Sequence, residues 1–299
     1  MRLDELTATS SKTLSFEFSP PRTKAGWSNF TSWVKQLAEL GPDFMTVTYG
    51  AGGTTRDGTR RAVEMIQDLT GVPTVAHLTC VGADRVGVAQ LLDEYHAAGI
   101  TNILALRGDP PADGGGCFVP QADGYANAGE LISAVRDDGR FGIACAAYPE
   151  GHFEASDPAR DWDVLADKLR RGASLAITQM FFDPAAYLAM RRHVSAALGA
   201  PARIVPSIMP VFTWPAISQF IARFSPNTTL TPLLRDTLEP LGDDLVAARK
   251  SCLRAMVDMA GSLLRAGAPG LHVFAMNSLN RSSAAAELVS ALRLRGDLG

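Results

Sequence analysis

"TLSFEFSPPR" (residues 13–22) is the stretch from which the fold can be worked outward. Leu14, Phe16 and Phe18 alternate with Ser15, Glu17 and Ser19. That is the period-two pattern of a β-strand, and Pro20 and Pro21 end it. A glutamate in the middle of such a strand is out of place, because burying an unpaired carboxylate is costly. If the three apolar side chains pack against helices, Glu17 must point the other way.

Seven further β-rich runs follow: "FMTVTYG" (44–50), "TVAHLTC" (74–80), "NILALRG" (102–108), "GIACAAY" (142–148), "LAITQMF" (175–181), "RIVPSIMP" (203–210) and "GLHVFAMN" (270–277). Most gaps between them carry one amphipathic helix pattern. Phe30, Val34, Leu37 and Leu40 recur at helical spacing before Gly41-Pro42. Leu91, Leu92 and Tyr95 do so before Gly99, and Trp162, Leu165 and Leu169 before Gly172. The last gap has room for three helices, one of them over residues 245–266. Strands alternating with helices predict an α/β chain of parallel strands joined by helical crossovers. Eight such units in 299 residues predict a (β/α)8 TIM barrel, a single domain over residues 1–299. An open doubly wound sheet is the other candidate, but the G-x-G-x-x-G turn expected after its first strand is absent. "GDPPADGGG" (108–116) directly follows the fourth strand and reads as a loop.

Composition narrows the function. A net charge of −3 leaves no basic footprint for nucleic acid. Cys80, Cys117, Cys145 and Cys252 have no paired spacing that suggests a metal, and Cys80 and Cys145 sit in apolar runs as small core residues. The N-terminal segment lacks the apolar core of a secretory signal. No apolar run reaches the roughly 20 residues that span a membrane. The expectation is a soluble, cytoplasmic protein.

Polar residues collect at the C-terminal halves of the strands, where barrel enzymes keep their catalytic groups. The second strand ends in Thr46, Thr48 and Tyr49, and the third carries His77 and Thr79. The fourth ends in Arg107-Gly108-Asp109. The fifth ends in Tyr148-Pro149-Glu150 with His152 beyond, and the sixth carries Thr178 and Gln179. Singly, each has a plain explanation: a core histidine, a turn-forming aspartate, a salt bridge between Arg107 and Asp109. Their concentration at one rim favours a site. A glycosidase-like pair of Glu17 and Asp109 lacks the aromatic-rich groove a sugar would want.

The strings "LSFEFSPPR" (14–22), "VTYGAGG" (47–53), "AHLTC" (76–80), "LALRGDPP" (104–111), "AAYPEGHFEA" (146–155), "ITQMFFD" (177–183) and "IMPV" (208–211) together resemble methylenetetrahydrofolate reductases, the flavoprotein barrels of bacterial one-carbon metabolism. The resemblance implies reduction of 5,10-methylenetetrahydrofolate to 5-methyltetrahydrofolate by NADH or NADPH through bound FAD, supplying methyl groups for methionine synthesis. It makes Glu17 the general acid that opens the folate's five-membered ring to an iminium cation. Asp109 becomes the anion near flavin and pterin, and Gln179 and Trp214 become contacts to the substrates. For FAD it implies Thr48, His77, Arg107, Gly108, Asp109, Tyr125, Ala126, Tyr148, His152, Asp161, Lys168 and Gln179. Without the resemblance, Lys168 reads equally well as a solvated helix face. The family's partners are the folate and the nicotinamide, with room for a homo-oligomer.

Several positions depart from the pattern. Ser19 stands where an aromatic is usual, a change expected to affect packing only. Val164 stands where a polar residue often contacts FAD. In "HVFAMNSLNR" (272–281) Phe274 replaces a tyrosine, and either Ser278 or Arg281 takes the place of an arginine that binds substrate. Two lost hydrogen-bonding groups imply weak FAD binding. Two alternatives follow: a same-fold reductase passing hydride directly from nicotinamide, and a folate-binding subunit without turnover. Glu17, Asp109 and Gln179 together speak against the second, because binding alone needs no buried acid.

Overall fold

Pro206 explains the one place where the strand count departs from expectation. The run at 203–210 forms two short strands, β7 (Ile204–Val205) and β8 (Ser207–Ile208). Proline has no N–H to give a ladder, so the strand is interrupted there. The computed structural model describes residues 1–10, 12–49, 56–109, 118–210, 213–224, 227–242, 244–275 and 279–299. Within them the chain runs α1 (Leu3–Thr9), β1 (Thr13–Phe18), α2 (Lys24–Ala38), β2 (Phe44–Val47), α3 (Arg56–Thr70), β3 (Thr74–Thr79), α4 (Arg85–Ala97) and β4 (Asn102–Leu106). It continues through α5 (Ala128–Asp138), β5 (Gly142–Ala147), α6 (Pro158–Arg171), β6 (Leu175–Thr178) and α7 (Pro184–Leu198) to β7 and β8. Three helices follow, α8 (Trp214–Phe224), α9 (Pro232–Leu238) and α10 (Leu245–Arg265), then β9 (Gly270–Phe274) and α11 (Leu279–Leu294).

The strands form one sheet in the order β7-β6-β5-β4-β3-β2-β1-β9-β8. The ladders β1–β2, β2–β3, β3–β4, β4–β5 and β8–β9 are parallel. The two outermost strands of that order are joined through Pro206 alone, so the ladder returns to its own start. Eight strands, one of them split, alternating with helices give the topology of a (β/α)8 barrel, as expected. Each strand is shorter at its C-terminal end than its β-rich run. Gly50, most of 108–116, Val211 and residues 276–278 lie outside the described residues.

Residues cluster into two compact units, Met1–Ser10, Ser15–Ala146 and Asp167–Ala176 in one, and Ser11–Leu14, Ala147–Ala166 and Ile177–Gly299 in the other. In the first, Phe18 of β1 meets Phe30 of α2 edge to face at 5.5 Å, so the Leu14, Phe16 and Phe18 side of β1 does face helices. Thr23, Asp84 and Asn127 cap α2, α4 and α5 by accepting backbone N–H bonds. In the second unit Phe181 stacks on Tyr187 of α7 at 5.7 Å, and Tyr187 donates to the Ile204 carbonyl at 2.7 Å. Cys80, Cys145 and Cys252 are buried free thiols. Burial pushes the Cys80 thiol up to about 12, which makes it a poor nucleophile. Cys117 lies outside the described residues. No helix among the described residues is long and apolar enough to cross a membrane.

Candidate active site

Strand periodicity puts Ser15 and Glu17 on the face of β1 opposite its aromatic side. Glu17 is only 8% exposed. Register pairs it with Thr46 on β2. The Thr46 hydroxyl donates to Glu17 Oε2 over a long 3.5 Å, and His77 Nε2 of β3 stands 3.6 Å from the same oxygen. Both contacts gather on Oε2. A carboxyl and an imidazole are both groups that can take or give a proton. The arrangement can hold one proton and deliver it.

The rest of the first unit's residues are set just beyond the strand ends. Thr48 extends the β1–β2 ladder by donating its N–H to the Phe18 carbonyl at 2.9 Å, and its hydroxyl donates to Ser19 Oγ at 3.1 Å. Ser19 therefore does more than alter packing: it anchors a residue of the expected cofactor set. The Cys80 N–H donates to the Arg107 carbonyl at 3.1 Å, continuing β3–β4 in the same way. Arg107 lies over the Phe118 ring at 5.0 Å. Gly108 has φ +90°, and a Cβ there would meet Val81 Cγ2 at 2.6 Å and Thr79 Cβ at 2.9 Å. Only glycine fits that turn, because Val81 and Thr79 fill the space a side chain would need. Asp109 is exposed.

The turn before α5 is pinned to the start of α4 by an Asp84–Gly124 bridge and by the Arg85 N–H on the Asp123 carbonyl at 3.2 Å. Tyr125 is thereby buried, with Arg85 over its ring at 4.6 Å, and burial raises its phenol above the ordinary value. The Ala126 N–H donates to Glu130 at 3.2 Å. Lys168 overturns the solvated-face alternative: it is 7% exposed, and its ammonium donates to the Ala146 carbonyl at 2.6 Å. Lysine is seldom buried without a purpose or partner, and an ammonium carries three donors.

In the second unit, Tyr148 and His152 stand edge to face at 4.9 Å. The Gly151 N–H closes a turn on the Tyr148 carbonyl at 3.1 Å, with Pro149 and Glu150 between them. Proline at the second turn position and glycine at the fourth are what a type I turn favours. Trp162 donates to the same carbonyl at 3.2 Å. Burial raises the Glu150 carboxyl above the ordinary value, against hydrogen bonds from Thr229 and Thr228 that pull it down. Gln179 continues β6 by donating its N–H to the Ala147 carbonyl at 2.7 Å, and its side chain accepts from the Met180 N–H at 2.8 Å. Asp161 is half-buried in the first turn of α6, and Trp214 is half-buried at the start of α8. Arg281 lies in α11, but its side chain and all of Ser278 fall outside the described residues. Val164 is 55% exposed and Phe274 is buried edge to face on His272 at 5.5 Å; neither side chain has a hydrogen-bonding group.

Hydroxyls, a buried ammonium, an arginine and a glycine-only turn are residue types that suit a flavin dinucleotide. Thr46 carries no role in the resemblance, yet it is the residue paired with Glu17. Its signal was present, since it shares the period-two face of Thr48. Among the described residues no three His, Cys, Asp or Glu side chains could hold a metal ion.

The family model described as methylenetetrahydrofolate reductase matches residues 2–293. The 5,10-methylenetetrahydrofolate reductase of Pectobacterium carotovorum subsp. carotovorum is 34% identical over 285 residues, covering 95% of this chain and 91% of that one. The Escherichia coli (strain K12) protein of the same name is 34% identical over 272 residues, covering 91% and 88%. A Clostridium thermocellum structure that binds two copies of 5-methyl-5,6,7,8-tetrahydrofolic acid has a TM-score of 0.66 at 12% identity, covering 97% and 99%. At that identity it speaks to fold alone. By the match over nearly its whole length, the chain belongs to the methylenetetrahydrofolate reductase family.

Proposed function

We propose that this protein reduces 5,10-methylenetetrahydrofolate to 5-methyltetrahydrofolate in the cytoplasm, with NADH or NADPH as hydride source and FAD as bound carrier, and so supplies methyl groups for methionine synthesis. The observation that carries this reading is the buried Glu17, with Thr46 and His77 on one carboxyl oxygen. Opening the folate's five-membered ring needs a proton on the departing amine nitrogen, and Glu17 is the residue that supplies it. Asp109 supplies negative charge that favours the cationic iminium so formed. Gln179, Trp214 and Arg281 orient the folate and, in turn, the nicotinamide.

Bound flavin would supply hydride transfer between the nicotinamide and the folate. Thr48, His77, Arg107, Gly108, Asp109, Tyr125, Ala126, Tyr148, His152, Asp161, Lys168 and Gln179 would hold it. Lys168, with Arg107 and His152, brings positive charge and donors suited to a pyrophosphate. Val164 and Phe274 withhold two hydrogen bonds. At about 0.5–1.5 kcal/mol each, their loss weakens FAD by roughly ten- to a hundred-fold. Titrating apoprotein with FAD, followed by flavin fluorescence, tests this together with a turnover assay at each FAD concentration. The expected result is a protein that sheds FAD on dilution and regains folate reduction when FAD is restored. Those same two side chains favour a second reading, direct hydride transfer without flavin. Folate reduction by nicotinamide with no FAD bound would establish that alternative.

A further inference from the structure

We propose that Glu150 is a positioning residue. Through a three-residue clamp at 227–229, it fixes the Tyr148–His152 turn against the end of β6, where Gln179 sits. Three consecutive residues make three different contacts, two to backbone carbonyls and one to the Glu150 carboxyl group. Asn227 Nδ2 donates to the Gly151 carbonyl at 3.5 Å, Thr228 Oγ1 to the Met180 carbonyl at 3.2 Å, and the Thr229 N–H to Glu150 Oε1 at 2.8 Å. The shortest of the three is the carboxyl contact, a charge-assisted bond when Glu150 is ionised. Thr228 is buried, so its hydroxyl cannot trade the Met180 carbonyl for bulk water.

The two anchored carbonyls, of Gly151 and Met180, adjoin the residues assigned above. Gly151 has φ +82°, and a Cβ there would meet Pro158 Cα at 3.0 Å, so the turn carrying Tyr148 and His152 packs closely against the start of α6. Its other side is where Glu150 and Gly151 meet the clamp. Met180 directly follows Gln179, whose own side chain is folded onto the Met180 N–H. Displacing residue 180 therefore displaces the Gln179 amide. With the clamp closed, the ends of β5 and β6 hold one spacing in addition to the Gln179–Ala147 ladder bond. Chain separation hides all of this from the sequence, for Glu150 and Thr229 are 79 residues apart.

The proposal rests on assigning Tyr148, His152 and Gln179 to cofactor and substrate, and its test separates the two claims. Amide hydrogen exchange of the whole protein without added FAD is compared among wild type, Glu150→Ala, Glu150→Gln and Thr228→Val, followed by FAD titration of each. Glu150→Ala should speed Thr229 amide exchange roughly ten- to a hundred-fold. It should also speed exchange through 148–152 and 179–180, and weaken FAD. Glu150→Gln keeps an acceptor oxygen and should restore both. Thr228→Val should loosen 179–180, and adding it to Glu150→Ala should cost less than the two effects combined, because one clamp is already open. Unchanged exchange in Glu150→Ala overturns the clamp. Faster exchange with unaltered FAD affinity, or Glu150→Gln behaving like Glu150→Ala, overturns the positioning role. Should wild type bind no FAD at all, the flavin assignment falls, and exchange at 148–152 and 179–180 still decides the clamp.

Discussion

Replacing Gly108 with alanine should damage the protein in two separable ways. The first is conformational. At φ +90° an L-residue carries strain of about 1–2 kcal/mol. The second is overlap. The new Cβ would lie 2.6 Å from Val81 Cγ2 and 2.9 Å from Thr79 Cβ. A valine methyl can swing away, but a Cβ is fixed to the β3 backbone, so the turn itself must shift. Overpacking of this kind costs about 1–3 kcal/mol. Together the two come to about 2–5 kcal/mol, a large part of a typical domain's stability. Gly82 provides the control. It has φ +76°, and a Cβ there would meet nothing within 4 Å, so Gly82→Ala should show the strain alone. Urea unfolding of both variants, with unchanged m-values, measures the difference. The Gly108 variant should lose clearly more stability than the Gly82 variant, and its FAD affinity should fall because Arg107 and Asp109 move with the turn. Equal losses would refute the claim that Thr79 and Val81 close the space at residue 108.

Three shorter predictions follow from other parts of the molecule. Asp109→Asn removes a negative charge from the proposed flavin site and should raise the bound flavin's midpoint potential; a redox titration with an unchanged or lower potential would exclude that role. Gly270→Ala should leave little folded protein, since a Cβ there would meet the Thr13 carbonyl oxygen at 2.2 Å and the Thr13 nitrogen at 2.7 Å; normal soluble expression with a wild-type melting curve would count against the tight approach. Glu150 gives a pH dependence. Its folded pKa is raised, so the folded state keeps the proton longer than the unfolded chain, and stability falls as pH climbs from the ordinary carboxylate value through the raised one. Glu150→Gln lacks this titration, so its stability relative to wild type should improve across that window and level off above it. Parallel curves from urea midpoints at a series of pH values would contradict the burial effect.

Much of the fold was legible because strand and helix periodicities alternate so regularly. Glu17 stood out from its own strand, and burial opposite Phe16 and Phe18 followed from period two alone. Pro206 was equally visible, yet its consequence depends on which neighbours need its missing N–H. Lys168 could not be settled from local pattern, because helix periodicity says which face it occupies and not what covers that face. The Glu150 contact was invisible for a topological reason. It joins a turn after β5 to a segment between α8 and α9, and only the folded chain brings them together. The Ser19 hydrogen bond is hidden for a like reason, since its partner, the Thr48 hydroxyl, belongs to the neighbouring strand's end.

The central claim is that Glu17 gives a proton to the folate, and one measurement separates that from a general structural role. Stopped-flow kinetics of wild type and Glu17→Gln, loaded with FAD, should follow nicotinamide oxidation and folate reduction as separate half-reactions. Only the second needs a proton donor. Glutamine keeps the volume of the buried side chain and an oxygen for Thr46, and loses the acid. Nicotinamide oxidation should remain close to wild type, while folate reduction should fall by roughly a hundred- to ten-thousand-fold, the worth of a general acid. Equal losses in both half-reactions, or a folate step that survives the substitution, would contradict the account.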